Sequence, residues 1–228
     1  MAKHGKKFRE AAKLVDSSKK YTLDEAMEIL PQTVFTKFTP SVELCVKTNA
    51  NPKYNDQMIR STTVLPHGTG KTVKIAVFTT EDKASDAKKA GADIVGHEDL
   101  LAKIQKGEMD FDVLITTPDM IRDLAKVAKV LGPRGLMPSP KAGTVTPNLA
   151  QAVEEVKKGK IEFRLDKTGN IHAVVGKSSF SKEQLKENIE SLLNAIHANR
   201  PTGVKGKLVK KVVVTTTMGP GIVLDVQN

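Results

Sequence analysis

Val73-Lys74-Ile75-Ala76-Val77-Phe78-Thr79, followed by the charged run that starts at Glu81, decides the fold. An almost continuous apolar run of this length is the composition of a strand buried on both faces. Residues 81–90 behind it read as a helix, and the alternation continues. Asp93–Val95 reads as a short strand, 98–106 as a helix and Asp112–Thr116 as the next strand. Thr117-Pro118 then opens a helix with proline at its first position, and Ile121, Leu124, Ala125 and Ala128 read as its apolar face. Leu131–Val145 is a Gly/Pro-rich loop whose Arg134 and Lys141 either touch phosphate or are solvated. Asn148–Lys158 is a further helix, ended by Gly159. Alternating strands and helices imply a doubly wound, Rossmann-like parallel sheet with helices on both faces.

The flanks obey another pattern. Ser41–Lys47 alternates Val42, Leu44 and Val46 with polar residues, as a half-buried strand does, and residues 58–65 read as a second strand. Ile161, Phe163 and Leu165, the turn Asp166–Asn170, and Ile171, Ala173 and Val175 read as a β-hairpin. Thr22-Leu23-Asp24-Glu25 and Ser181-Lys182-Glu183-Gln184 are capping boxes. The first opens a short helix ended by Pro31, and the second a helix with Leu185, Ile189, Leu192 and Ile196 on one face. Residues 3–18 read as a basic amphipathic helix that includes Lys3. The architecture expected is a split α+β domain, residues 1–67 and 160–228, with the doubly wound domain inserted at 68–159. The glycines at Gly68-Thr69-Gly70 and Lys158-Gly159 make a plausible hinge.

Val212-Val213-Val214 and Ile222-Val223-Leu224 are strand-forming runs around Thr215-Thr216-Thr217-Met218-Gly219-Pro220-Gly221. The stretch is either a plain hairpin or a small uncharged docking surface. Phe38 is either a core plug or an exposed contact, and burial of an aromatic favours the plug.

The chain has 228 residues, 39% of them hydrophobic but only 4% aromatic, with no tryptophan, so its core is aliphatic. Cys45 is the lone cysteine, which excludes an internal disulfide and fits a reducing compartment. With no apolar run near the ~20 residues of a membrane span and no signal-peptide pattern, the chain reads as soluble, cytoplasmic and without a membrane partner. The net charge is +10, placed unevenly. Residues 1–20 hold seven Lys/Arg against two acids, and residues 199–228 five against one. Residues 68–159 hold fourteen against thirteen. Basic ends around a balanced middle suggest a polyanion partner, most often nucleic acid, against the plainer reading of a solvated lysine surface.

Gly68-Thr69-Gly70-Lys71-Thr72 mimics a P-loop, but that motif needs glycine where Leu65 stands and a helix where a strand follows. The first strand of the inserted domain lacks the Gly-x-Gly-x-x-Gly of dinucleotide folds. The histidines have no ligand spacing, and Cys45 shows no partner base, so no cofactor, metal or catalytic residue is expected. A nucleotide-dependent enzyme on the inserted domain rests on Gly68–Thr72 alone. A non-specific basic chaperone or tether is a third reading. With few aromatics for base stacking, the chain suits folded RNA, read through backbone, minor groove and 2′-hydroxyls.

The segments LGPRGLMPSPKAGTV (131–145) and TTTMGPG (215–221) closely resemble the L-one family of bacterial large-subunit ribosomal proteins, those of the lateral stalk. So do MAKHGKKFRE (1–10), LPHGTGK (65–71), MDFD (109–112), IEFRLDKTGNIHAVVGK (161–177) and Ser179-Phe180, spread along the whole chain. It departs from the family pattern at Thr39-Pro40 and at Ser61. The resemblance implies two domains, the second inserted into the first, and a non-enzymatic protein of the cytoplasmic large ribosomal subunit. It implies binding to large-subunit ribosomal RNA in the mobile stalk, and a part in releasing deacylated tRNA from the exit site. It also implies repression of its own operon through the mRNA, and a monomer off the ribosome. Its RNA-binding residues, carried onto this chain, are Lys37, Phe38, Ser41, Glu43, Arg164, Lys167, Thr217, Met218 and Gly219.

Overall fold

A computed structural model describes residues 5–225. In chain order the first elements are α1 (Lys6–Ala12), α2 (Leu23–Ile29), β1 (Ser41–Thr48) and β2 (Arg60–Val64). Then come β3 (Ile75–Phe78), α3 (Glu81–Lys89), β4 (Ile94–Gly96), α4 (Glu98–Gln105), β5 (Val113–Thr116), α5 (Ile121–Leu124), α6 (Ala128–Leu131) and α7 (Leu149–Lys157). The chain closes with β6 (Lys160–Arg164), β7 (Asn170–Lys177), α8 (Lys182–Ala198), β8 (Val209–Thr216) and β9 (Ile222–Leu224). It divides into two compact units, one running up to Gly70 and resuming at Ile161, the other spanning Lys71–Lys160.

The split unit holds an antiparallel sheet in the order β7-β1-β8-β9. Along β1, Val42, Leu44 and Val46 are fully buried, and the residues between them are not. The period-2 alternation therefore sends one face of the sheet into a core and leaves the other uncovered. That core is closed by Ala26 and Met27 of α2 and by Leu185, Ile189, Leu192 and Ile196 of α8. Both capping boxes form: the Thr22 hydroxyl accepts from the Glu25 N–H and the Glu25 carboxylate accepts from the Thr22 N–H, with the same exchange between Ser181 and Gln184. Each satisfies two helix-end donors.

One polar residue sits inside the apolar face of α8. Asn188 is wholly buried, and its side-chain amide donates to the carbonyls of Gly68 (3.0 Å) and Val175 (2.8 Å). Its side-chain oxygen accepts from the His67 N–H (3.1 Å). Asn188 thus pins the segment leaving β2 to the helix and the sheet, with its own hydrogen-bonding capacity met.

Three readings of this unit need correction. The strands on either side of Asp166–Asn170 do not form a hairpin. They meet only at Leu165 and Ile171, while β6 pairs with β2 and β7 pairs with β1 along its length. Alternation fixes which face of a strand is buried but not its neighbour. The amino-terminal helix is only Lys6–Ala12, and Leu14 beyond it is exposed. Its expected start, with Lys3, lies outside the described residues. Phe38 is 57% exposed and plugs no core.

The unit Lys71–Lys160 carries a parallel sheet in the order β4-β3-β5. Residues of β3 alternate between two cores. Ala76 and Phe78 pack with α4, α5 and α6 on one face, and Ile75 and Val77 with α3 and α7 on the other. The helix expected after Pro118 is broken into α5, α6 and short 3-10 turns. Its buried residues are Met120, Leu124, Val127 and Leu131, and Ala125 is exposed. The larger side chains remove more apolar surface from water than the alanines would, so they set the face. Part of the Gly/Pro-rich loop runs alongside β5, with a parallel bridge between Thr116 and Val145.

Candidate nucleic-acid interface

The uncovered sheet face presents Ser41, Glu43, Cys45 and Lys47 of β1. At its Ser41 end three segments converge. Lys177 lies opposite Ser41 on β7, and its ammonium donates to the Ser41 hydroxyl (2.9 Å). On the other side the Thr217 N–H donates to the Ser41 carbonyl (2.9 Å), and the Ser41 N–H donates to the Thr217 hydroxyl (3.1 Å). Glu43, one step further along the face, lies between Val174 and Thr215. The loop entering β1 is tied down by the Ser178 N–H, which donates to the Pro40 carbonyl (2.9 Å), and it leaves Lys37 and Phe38 exposed.

The turn after β8 is built under strain. The Gly219 N–H donates to the Thr216 carbonyl (2.8 Å), which closes a four-residue turn. Met218 has φ 69°, the only left-handed conformation of a non-glycine residue among the described residues. A turn with positive φ at its third residue favours glycine, and a side chain there costs about 1–2 kcal/mol. Met218 is also 68% exposed, so burial does not offset that cost. Gly219 has a separate requirement, since a Cβ there would collide with the Thr216 hydroxyl. The Thr215 hydroxyl lies within 3.3 Å of the carbonyls of Thr216, Gly219 and Pro220 and ties the turn together. Met218 and Gly219 border a hollow also lined by Lys6, Lys7 and Phe8 of α1 and by Phe35. The basic amino-terminal segment therefore reaches the same end of the sheet.

Of the nine residues singled out from the sequence, seven gather here: Lys37, Phe38, Ser41, Glu43, Thr217, Met218 and Gly219. Arg164 and Lys167 do not. Arg164 ends the strand leading to the Asp166–Asn170 turn and Lys167 lies within it, and the turn's Gly169 carbonyl accepts from the backbone N–H and hydroxyl of Thr48 at the far end of β1 (3.0 and 2.8 Å). Eight strand residues separate the two ends, about 24 Å. In that turn Asp166 accepts from the Asn170 N–H and from Thr168, which draws its carboxyl down to about 2. One residue of the gathering, Lys177, escaped sequence reading. The alternation that sends Ile171, Ala173 and Val175 inward breaks at the bulge between Val42 and Glu43, so counting by twos does not reach Lys177.

The arrangement offers hydroxyls, open backbone, one carboxylate and flanking lysines. A carboxylate repels phosphate and only accepts hydrogen bonds, so Glu43 suits amino or 2′-hydroxyl donors. Cys45 does have a base beside it: His172 Nδ1 is 3.2 Å from its sulfur. Burial, and then the Glu43 charge, push the thiol above its ordinary value, so the pair is not poised as a thiolate nucleophile. Among the described residues no His, Cys, Asp and Glu group forms a metal-binding cluster, and no helix is long and apolar enough to cross a membrane.

Residues 30–220 match the Ribosomal protein L1p/L10e family. The chain is 57% identical over 226 residues to the large ribosomal subunit protein uL1 of Thermosipho africanus, covering 99% of this chain and 97% of that one. The uL1 of Fervidobacterium nodosum is 58% identical over 226 residues, covering 99% and 96%. That of Actinobacillus succinogenes is 51% identical over 225 residues, covering 99% and 98%.

Proposed function

The chain belongs to the Ribosomal protein L1p/L10e family, and on that premise we propose that it binds folded ribosomal RNA of the large subunit's lateral stalk through the Ser41 end of its split sheet. The observation that carries this reading is Met218: a large apolar side chain held exposed in a conformation that favours glycine. Strain that the fold does not need is a mark of a functional surface. Thr217, Met218 and the Gly219 backbone approach ribose and base edges, where folded RNA displays its identity. Lys37, Lys177 and the lysines of α1 hold phosphates and set orientation. Glu43 selects for donors.

The same surface serves the operon mRNA, so ribosomal RNA and messenger compete for one site, and the chain acts as a repressor when it is in excess. Arg164 and Lys167, apart from the Ser41 end, also contact the RNA, and the chain takes part in releasing deacylated tRNA from the exit site. The protein works without catalysis, in the cytoplasmic large subunit, and is a monomer off the ribosome. An enzyme reading finds no support at Gly68–Thr72: that segment runs into β3 rather than a helix, and Lys71 is paired with Asp112. In a filter-binding titration at physiological salt, the stalk RNA is expected to bind at least about 10³-fold more tightly than an unrelated structured RNA of equal length. Equal affinities would overturn the reading in favour of a non-specific basic binder.

A further inference from the structure

At the far corner of the split unit from Met218, five lysines line one groove of about 820 Å³: Lys19, Lys20, Lys207, Lys210 and Lys211. None of the nine residues above belongs to it. From this groove we infer a second RNA contact, one that grips the phosphate backbone of a strand lying beyond the recognised element, without reading its sequence. The inference rests on the RNA reading just given and adds a place and a mode of contact.

A strand ordinarily sends consecutive side chains to opposite faces. Lys210 and Lys211 are consecutive, yet both are exposed and both line the groove. The cause is a bulge. Lys47 pairs with Lys211 and Thr48 with Val209, which leaves Lys210 as the extra residue on β8. Bulges re-aim side chains in this way, and here the result is to double the positive charge at one place. The regular register ahead of the bulge sets Lys211 directly across from Lys47, a like-charge pair that weakens a sheet unless a counter-charge is supplied.

Little inside the protein supplies it. Lys19 pairs with Glu25 (3.3 Å), and Lys20 reaches Asp225 only at 3.9 Å, with both groups largely exposed. Among the described residues no carboxylate lies within salt-bridge reach of Lys207, Lys210 or Lys211. The backbone beneath is fixed: the Arg200 guanidinium donates to the carbonyls of Val204 (2.9 Å) and Gly206 (2.7 Å), and the Asn49 N–H to the Leu208 carbonyl (2.7 Å). The charges are thus pre-placed on ordered chain rather than on a loose tail.

An acidic peptide fits less well than RNA. The edge strand β9 is already engaged by Tyr21, whose N–H donates to the Val223 carbonyl and whose carbonyl accepts from the Asp225 N–H (2.9 and 2.8 Å). A peptide strand therefore finds those groups taken. The groove also lacks the exposed aromatic anchors that protein interfaces use. Point-charge ammonium groups in a row match spaced phosphates.

The test uses the full chain and two probes: the minimal stalk RNA, and the same RNA lengthened by a flanking duplex of arbitrary sequence. Affinities are measured across a salt series for wild type, for Lys210→Gln/Lys211→Gln, and for Lys88→Gln/Lys89→Gln as a charge-matched control on the other unit. On the longer RNA the groove variant should show a log–log salt slope shallower by about 1.8. Wild type then loses about 12-fold more affinity than the variant between about 50 and 200 mM salt. On the minimal RNA the two should coincide, and the control should follow wild type throughout. An unchanged slope on the longer RNA overturns the groove and leaves the stalk reading standing, and an equal effect from the control does the same. Loss of preference for the stalk RNA by wild type strikes that reading instead, because the slope on arbitrary duplex does not depend on it.

Discussion

Replacing Met218 by aspartate separates a functional turn from a structural one. Only about a third of the methionine side chain is covered, so its burial contributes roughly 0.5–1 kcal/mol of the 1.5–3 expected for a fully buried one. Aspartate tolerates the left-handed conformation better than methionine and recovers part of that amount. The net change in folding stability should stay within about 1 kcal/mol. On the RNA side, the exposed two-thirds of the side chain loses about 1–2 kcal/mol of contact. A new negative charge about 6 Å from a phosphate adds roughly 0.7 kcal/mol in water, rising to about 2.8 in a less polar interface. The sum, about 1.7–4.8 kcal/mol, corresponds to a roughly 20- to 3000-fold weaker complex. Filter binding to the stalk RNA and chemical denaturation of the same preparation measure the two quantities. Equal losses in both, or unchanged binding, would refute the reasoning and return the turn to a plain hairpin.

Three further outcomes follow from the geometry. Asn188→Ala leaves the buried Val175 carbonyl and the part-buried Gly68 carbonyl and His67 N–H without this partner and should cost about 3 kcal/mol, read as a thermal midpoint lower by roughly 10 °C; a change under a few degrees would mean that water replaces the amide. Asp166 has its folded pKa depressed to about 2 from 3.8, so its contribution is complete above the unfolded value and is lost as pH falls through the folded one. The stability gap between wild type and Asp166→Asn should therefore be constant near neutrality and narrow towards pH 2; a gap that instead widens on acidification would show the carboxylate to be destabilising. Replacing residues 71–160 by a short glycine-rich link should leave the split unit folded, with its RNA affinity within about tenfold of the full chain. Calorimetry and filter binding check this, and an unfolded or non-binding product would show that the inserted unit shares the work.

How much of this was legible in the sequence depends on the range of the interaction. Capping boxes and the 185–189–192–196 face are local, and α8 follows them. The apolar run at β3 announces burial on both faces, and two separate cores flank it. Pairing is not local. Nothing in Ile161–Val175 reveals that β6 joins β2 while β7 joins β1, because the partners lie about a hundred residues away in the chain. Phe38 is misread for the same reason, since it looks like a plug until its loop is placed, and the role of Asn188 is invisible until His67 and Gly68 are brought beside it. Within the site, the residues of the Ser41 end came from a resemblance, while the strain at Met218 and the ammonium of Lys177 on Ser41 came from geometry alone.

Hydrogen exchange of the full chain with and without the stalk RNA tests the central claim most directly. The account predicts slowed amide exchange at residues 37–43 and 215–219, with little change in the strands of the inserted unit. Protection confined to 71–160, or absent from both 37–43 and 215–219 while the RNA is bound, would contradict it.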